Sequence, residues 1–218
     1  MLLTILFATT NGQKNRHFRL AWEALGLHKK FNLVTLKDLP DKNLGHIAED
    51  SGSFAGDALL KAKAYAAAYE LPTISQDRGF LFEALNWPGT ESKAVMFGDD
   101  KVVYTKDSWE AERQANLERA RQVLAKLDGH DNRRMYMLQG LALALPNGEF
   151  VAEEKKSLGN ASQKVIDGVG GSFDWFFIPD GLEITNSQFP SEEELALYCA
   201  ENFYPITPKI LTFLQKLI

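Results

Sequence analysis

Leu2 to Ala8 is an unbroken apolar run closed by Thr9, Thr10 and Asn11-Gly12, the pattern of a strand buried on both faces. The next apolar positions, Phe18, Ala21, Trp22 and Leu25, fall at i, i+3, i+4 and i+7. They predict a helix that stops at Gly26, a residue that tolerates positive φ. Phe31 to Leu36 predicts a second strand, and Lys37 to Ser53, rich in Asp, Asn and Gly, a loop holding several acids. From Phe54 to Tyr69, the positions Ala58, Ala62, Tyr65, Ala66 and Tyr69 share one helix face, small enough to pack close to a sheet, with Asp57 and Lys61 one turn apart.

Pro72 to Ser75 and Phe80 to Phe82 read as strand segments flanking a turn at Gln76-Asp77-Arg78-Gly79. Short strands are expected at Val95 to Phe97 and Val102 to Tyr104. A longer helix begins near Asp107-Ser108, where Asp107 and Glu110 have capping-box spacing, and carries Leu117, Ala120, Leu124 and Leu127 inward. Met135 to Leu145 and Glu149 to Lys156 form a hairpin about Pro146-Asn147-Gly148. Ser191 with Glu194 gives a second capping box, and Thr207-Pro208 opens a terminal helix with Ile210, Phe213, Leu214 and Leu217 inward. Strands alternating with helices place the chain in the α/β class.

The 218 residues, 45% of them hydrophobic, suffice for one compact domain or two lobes sharing a sheet. No Gly/Pro-rich linker divides them, so residues 1–218 are expected to form a single domain. A net charge of −5 argues against broad nucleic-acid or anionic-membrane binding, while leaving room for a local basic pocket that takes a small anion. The single cysteine, Cys199, cannot form an internal disulfide and fits a reducing compartment. The apolar N-terminal stretch is short and lacks a positive leader, so it reads as a strand and not a signal peptide, and no run approaches 18 apolar residues. A cytoplasmic location is expected.

Candidate chemistry begins at Thr9-Thr10-Asn11-Gly12-Gln13-Lys14, which joins the first strand to the first helix. A helix N-terminus offers free N–H groups and partial positive charge to a phosphate, and Thr9, Asn11 and Lys14 add donors. By itself the segment reads first as an Asn cap followed by a solvated Lys. It lacks the spacing of a Walker A loop. Gly168-Val169-Gly170-Gly171 leads into an aromatic strand and not a helix, which rules out a dinucleotide fingerprint.

Read together with four later segments, the loop resembles the inosine/xanthosine triphosphate pyrophosphatase family. The family's A-T-x-N-x-x-K is met by Ala8, Thr9, Asn11 and Lys14. An acid followed by T-F-x-E-N-A-x-x-K-A is met by Glu49 and the run Ser53 to Ala62, with Gly56-Asp57 in place of Glu-Asn and Lys61 in register. L-P-x-x-A-D-D-S-G-L resembles Leu71 to Phe80, and Pro88-Gly89 with Ser92-Lys93-Ala94 follows. G-x-G-G-F-G-Y-D-P-x-F resembles Gly168 to Phe177, with Asp174 and Phe177 aligned.

The resemblance implies an elongated mixed sheet flanked by helices, two lobes around a nucleotide cleft, and a homodimer. It also implies Mg²⁺-dependent hydrolysis of deaminated purine triphosphates such as ITP, dITP and XTP to monophosphate and pyrophosphate. Glu49 and Asp77 would hold Mg²⁺, a hard ion suited to carboxylate and phosphate oxygens. Asp77 would activate water, Lys14 and Lys61 would stabilise charge on pyrophosphate, and Thr9, Asn11, Arg78, Phe173 and Asp174 would line the substrate. Taken singly, Glu49 is a solvated loop acid, Asp77 a turn residue, and Lys61 the i+4 partner of Asp57. Three departures stand out: Gln76 replaces one of the paired acids and Arg78 the Ser that follows them, the family's Gly-Phe-Gly-Tyr-Asp-Pro has become Gly171-Ser172-Phe173-Asp174-Trp175, and Tyr204-Pro205-Ile206 stands where the family has Ser-His-Arg. The missing acid keeps open a second reading, a nucleotide-binding or regulatory homologue that has lost or changed catalysis.

Overall fold

The computed structural model of the chain describes residues 2–97, 109–202 and 206–218. Among them, seven strands form one mixed sheet. They are β1 (Leu3–Phe7), β2 (Phe31–Thr35), β3 (Thr73–Phe82), β4 (Trp87–Gly89), β5 (Arg134–Ala144), β6 (Phe150–Ala161) and β7 (Phe177–Pro179). The order is β2-β1-β3-β5-β6-β7, with β4 paired to β3. β1 runs parallel to both β2 and β3, whereas β3–β4 and β6–β7 are antiparallel. The helices are α1 (Gly12–Ala24), α2 (Phe54–Tyr69), α3 (Ser92–Phe97), α4 (Trp109–Ala125), α5 (Glu192–Asn202) and α6 (Pro208–Gln215). The expected α/β class and mixed sheet are therefore present.

Two expectations are corrected. Gln76-Asp77-Arg78-Gly79 is not a turn: β3 runs through it, held by parallel pairing with β1 at Thr73 and Ile74 and by antiparallel pairing with β4 from Phe80 to Phe82. Ladder bonds at both ends outweigh the turn preference of the tetrapeptide. Val95 to Phe97 belongs to α3, where Val95 N–H donates to Glu91 O at 2.9 Å, since so short an apolar run has no periodicity of its own. The expected strand at Val102 to Tyr104 and the helix start at Asp107-Ser108 lie outside the described residues. The hairpin strand predicted to end at Lys156 continues to Ala161.

The chain divides into two compact units. The first comprises Met1–Arg78, Gln139–Lys155 and Ala196–Ile218. On one face of its sheet, Ile5, Phe7, Ile74, Leu141 and Leu143 pack against Phe18 and Trp22 of α1 and Ile210 and Leu214 of α6. Each of these large side chains contributes roughly 1.5–3 kcal/mol by burial. On the other face the alternate residues Ala142 and Ala144 meet Ala58, Ala62 and Ala66 of α2, so this helix lies close to the strand. Gly26 stands in the left-handed region at φ 67 as expected, and Thr207 caps α6 by accepting from Ile210 N–H.

The second unit comprises Gly79–Leu138 and Lys156–Leu195. Its core is aromatic: Phe80 lies against Phe82, Phe173 and Phe176 with ring centroids 5.3, 5.0 and 5.5 Å apart. α4 buries Leu117, Ala120 and Leu124, the stripe its periodicity predicts, and Leu127 just beyond it. No helix among the described residues is long and apolar enough to cross a membrane.

Candidate active site

β1 ends at the buried Phe7, and the chain turns into α1 through Thr9 and Asn11. Thr9 Oγ1 accepts from Asn11 N–H at 3.1 Å, and Asn11 Oδ1 in turn accepts from Lys14 N–H at 2.9 Å. Asn11 is thus a true helix cap. The cap aims the first turn of α1 past the C-terminal end of β1, the position where open α/β sheets take their ligands.

β3 continues beyond the end of β1 and brings Asp77 to the same place. Lys14 Nζ donates to Gln76 O at 3.3 Å and lies 3.7 Å from Asp77 Oδ1. From the other side, Lys61 on α2 places its Nζ 3.3 Å from the same Asp77 oxygen and 3.4 Å from Glu49 Oε1. Lys14, Asp77, Lys61 and Glu49 therefore form a chain of alternating charge, each side chain between 10% and 26% exposed. That range leaves the charges screened less than surface pairs yet still within reach of a ligand.

Asp77 is a strand residue and not a turn residue, and Glu49 is ion-paired and not merely solvated. Lys61 does not pair with Asp57, whose Oδ1 instead accepts from Ser51 N–H at 3.0 Å and lies 2.8 Å from Ser51 Oγ. Lys61 is free to turn toward Glu49 and Asp77 because Ser51 satisfies the neighbouring acid.

Arg78 follows Asp77 within β3, where successive side chains alternate between the two faces of the sheet. Phe173 and Asp174 belong to the second unit. The Phe173 ring is buried against Phe80, and Asp174 accepts from Gly171 N–H at 2.7 Å and Asn186 Nδ2 at 2.9 Å, which closes the glycine loop. Tyr204 and Pro205 lie outside the described residues, while Ile206 is a core residue of the first unit.

Two contributors carry no signal in the sequence. The carbonyl oxygen of Gln76 orients Lys14 through the main chain, which is blind to side-chain identity. Glu154 of β6, a hundred residues from α2, accepts from Phe54 N–H at 3.0 Å and Ala55 N–H at 3.3 Å and so anchors the first turn of the helix that carries Lys61. Alternation along β6 places it on the α2 side, but only the fold supplies the partner.

The donor set suits a hard divalent cation that also binds phosphate. One ammonium group touches both carboxylates, and no cluster of three or more potential ligands occurs among the described residues. Two carboxylates, with phosphate and water oxygens completing the shell, are what Mg²⁺ takes in nucleotide sites.

The sequence and the fold both have relatives among known proteins. The model of the Ham1 family matches residues 5–197. A dITP/XTP pyrophosphatase of Rhodospirillum centenum is 30% identical over 203 residues, covering 92% of this chain and 91% of the relative. One from Hydrogenobaculum is 24% identical over 201 residues, covering 89% and 92%. Among solved structures, the nucleoside-triphosphatase / dITP/XTP pyrophosphatase of Mycobacterium abscessus superposes with a TM-score of 0.65 at 26% identity, covering 95% of this chain and 100% of that one. A HAM1 protein from Coxiella burnetii shares the fold with a TM-score of 0.70 at 20% identity, covering 97% and 99%.

Proposed function

This chain belongs to the Ham1 family, and from that premise we propose that it hydrolyses deaminated purine nucleoside triphosphates, dITP and XTP among them, to the monophosphate and pyrophosphate. The observation that supports this reading most is the ion-paired chain of Lys14, Asp77, Lys61 and Glu49 beside the N-terminus of α1. Two lysines that neutralise two acids at rest can exchange partners when a triphosphate arrives. Phosphate oxygens then take the ammonium groups, and the carboxylates are released for a cation.

In this reading Glu49 and Asp77 hold Mg²⁺, which when bound neutralises phosphate charge and favours attack at phosphorus. The N–H groups of the first turn of α1, with Thr9 and the side-chain amide of Asn11, bind the phosphate tail. Asp77 orients a water molecule toward the α-phosphorus and accepts its proton as the new P–O bond forms and the bond to the β-phosphate bridging oxygen breaks. Lys14 and Lys61 stabilise the charge that develops on the departing pyrophosphate. The reading extends to a cytoplasmic location, which the single cysteine fits, and to a homodimer, as the resemblance to the pyrophosphatases implies.

Incubating the protein with dITP, XTP, ITP, dATP and dGTP in Mg²⁺ and separating the products tests this directly. The expected result is equal amounts of monophosphate and pyrophosphate, preferentially from dITP, XTP and ITP, and no turnover after chelation of divalent cations. Diphosphate with orthophosphate, or turnover unaffected by chelation, contradicts it.

A further inference from the structure

Glu49 lies on the loop between β2 and α2, and besides Lys61 residues outside the ion-pair chain fasten this loop. Asp57, Lys61, Tyr65 and Tyr69 recur at intervals of four and so form one stripe along α2. The loop follows that stripe in reverse. Asp57, buried near the start of the helix, accepts from Ser51 N–H at 3.0 Å and lies 2.8 Å from Ser51 Oγ. Lys61 pairs with Glu49 at 3.4 Å, and at the far end the Tyr69 hydroxyl donates to Pro40 O at 2.8 Å. Between them the Tyr65 hydroxyl is pushed up from its ordinary value by burial, then by Tyr69, then by the charge of Asp41 on the same loop.

Gly56 explains how Ser51 reaches its partner. A Cβ at position 56 would lie 2.2 Å from Ser51 Oγ and 2.6 Å from Ser51 Cβ, so Ser51 in its present position fits only over a glycine. Glycine is otherwise a poor choice within a helix, and no positive φ calls for it here. Gly56 supplies the room and Asp57 the acceptor. These are the two positions at which the chain departs from the Glu-Asn of the motif it resembles.

We propose that Gly56 and Asp57 form a dock for Ser51 that sets the register of the 39–52 loop on α2 and thereby places Glu49 against Lys61. Gly56, Asp57 and Tyr69 are positioning residues that act through Glu49. The kinetic consequence of the dock rests on the pyrophosphatase reading, whereas its structural consequence does not.

The test uses the full chain carrying Gly56→Ala, Asp57→Ala, Asp57→Asn or Tyr69→Phe. Hydrogen exchange of peptides spanning 39–52 is measured without ligand, together with the Mg²⁺ concentration that gives half the maximal rate on dITP. Gly56→Ala is the sharpest variant, because alanine favours the helix yet evicts Ser51. It is expected to raise exchange in the loop about tenfold while leaving the rest of α2 protected, as is Asp57→Ala. Asp57→Asn should stay near the parent, since its carbonyl oxygen can accept the same bonds, and Tyr69→Phe should raise exchange roughly fivefold for the single bond it loses. The Mg²⁺ requirement is expected to rise in the same order. Unchanged loop exchange in both Gly56→Ala and Asp57→Ala overturns the dock, and so does exchange that rises equally through α2 and β5. If the parent does not hydrolyse dITP but loop exchange follows the expected order, the pyrophosphatase reading fails and the dock stands.

Discussion

Asp77→Asn is expected to lower kcat on dITP by about 10²–10⁴-fold with the fold intact, the range associated with losing a positioned general base. Asparagine matches the volume of aspartate and fits the same strand position, so the loss is one of charge and not of packing. Its consequence is concentrated because Asp77 Oδ1 is the point at which Lys14, at 3.7 Å, and Lys61, at 3.3 Å, meet. Without the carboxylate the two ammonium groups repel each other and no acceptor remains for the proton of water. Steady-state kinetics with circular dichroism as a control on folding checks this. A variant that retains the parental kcat removes Asp77 from the chemistry.

Gly140→Ala is expected to destabilise the protein by roughly 3 kcal/mol or more, the upper range for overpacking a closed core. A Cβ on Gly140 would stand 2.0 Å from both the carbonyl carbon and the oxygen of Phe54 and 2.3 Å from the nitrogen of Ala55. These are backbone atoms, so no side-chain rotation relieves the clash. They also form the first turn of α2, whose N–H groups donate to Glu154 of the neighbouring strand β6. The helix cannot withdraw without breaking that anchor, and withdrawal would carry Lys61 from Asp77. Urea unfolding should show a clear fall in midpoint, accompanied by loss of activity. An unchanged midpoint would mean that β5 and α2 are not in close contact.

Elements that satisfy a local rule were legible from residues alone. α1, with its apolar stripe and Gly26 stop, α2 from Phe54 to Tyr69, the β5–β6 hairpin about Asn147-Gly148 and the Thr207 cap of α6 all follow from periodicity or capping chemistry. The failures lie where distant residues overrule local preference. Gln76 to Gly79 has the composition of a turn, but pairing with β1 and β4 makes it a strand. The two units interleave three and two segments of chain, so no linker marks where one gives way to the other.

The site divides in the same way. The ordered motifs point to Asn11, Lys14, Glu49, Lys61 and Asp77, because such residue types serve phosphate and metal chemistry wherever they converge. What the chain alone does not disclose is who pairs with whom. Lys61 sits one turn from Asp57 and would pair with it on a lone helix, yet Ser51 holds Asp57 and the lysine reaches Glu49 and Asp77. Arg78, adjacent to Asp77 in sequence, belongs to a strand and not to a turn, and neighbouring strand residues alternate between faces.

A double-mutant cycle on Lys61 and Asp77, read as kcat/KM for dITP hydrolysis, bears most directly on the claim that these charges act as one site. Residues of a single catalytic unit lose most of their value together, so Lys61→Ala combined with Asp77→Asn should cost little more than the worse single change. Losses that multiply as for independent sites, or single variants as active as the parent, would contradict it.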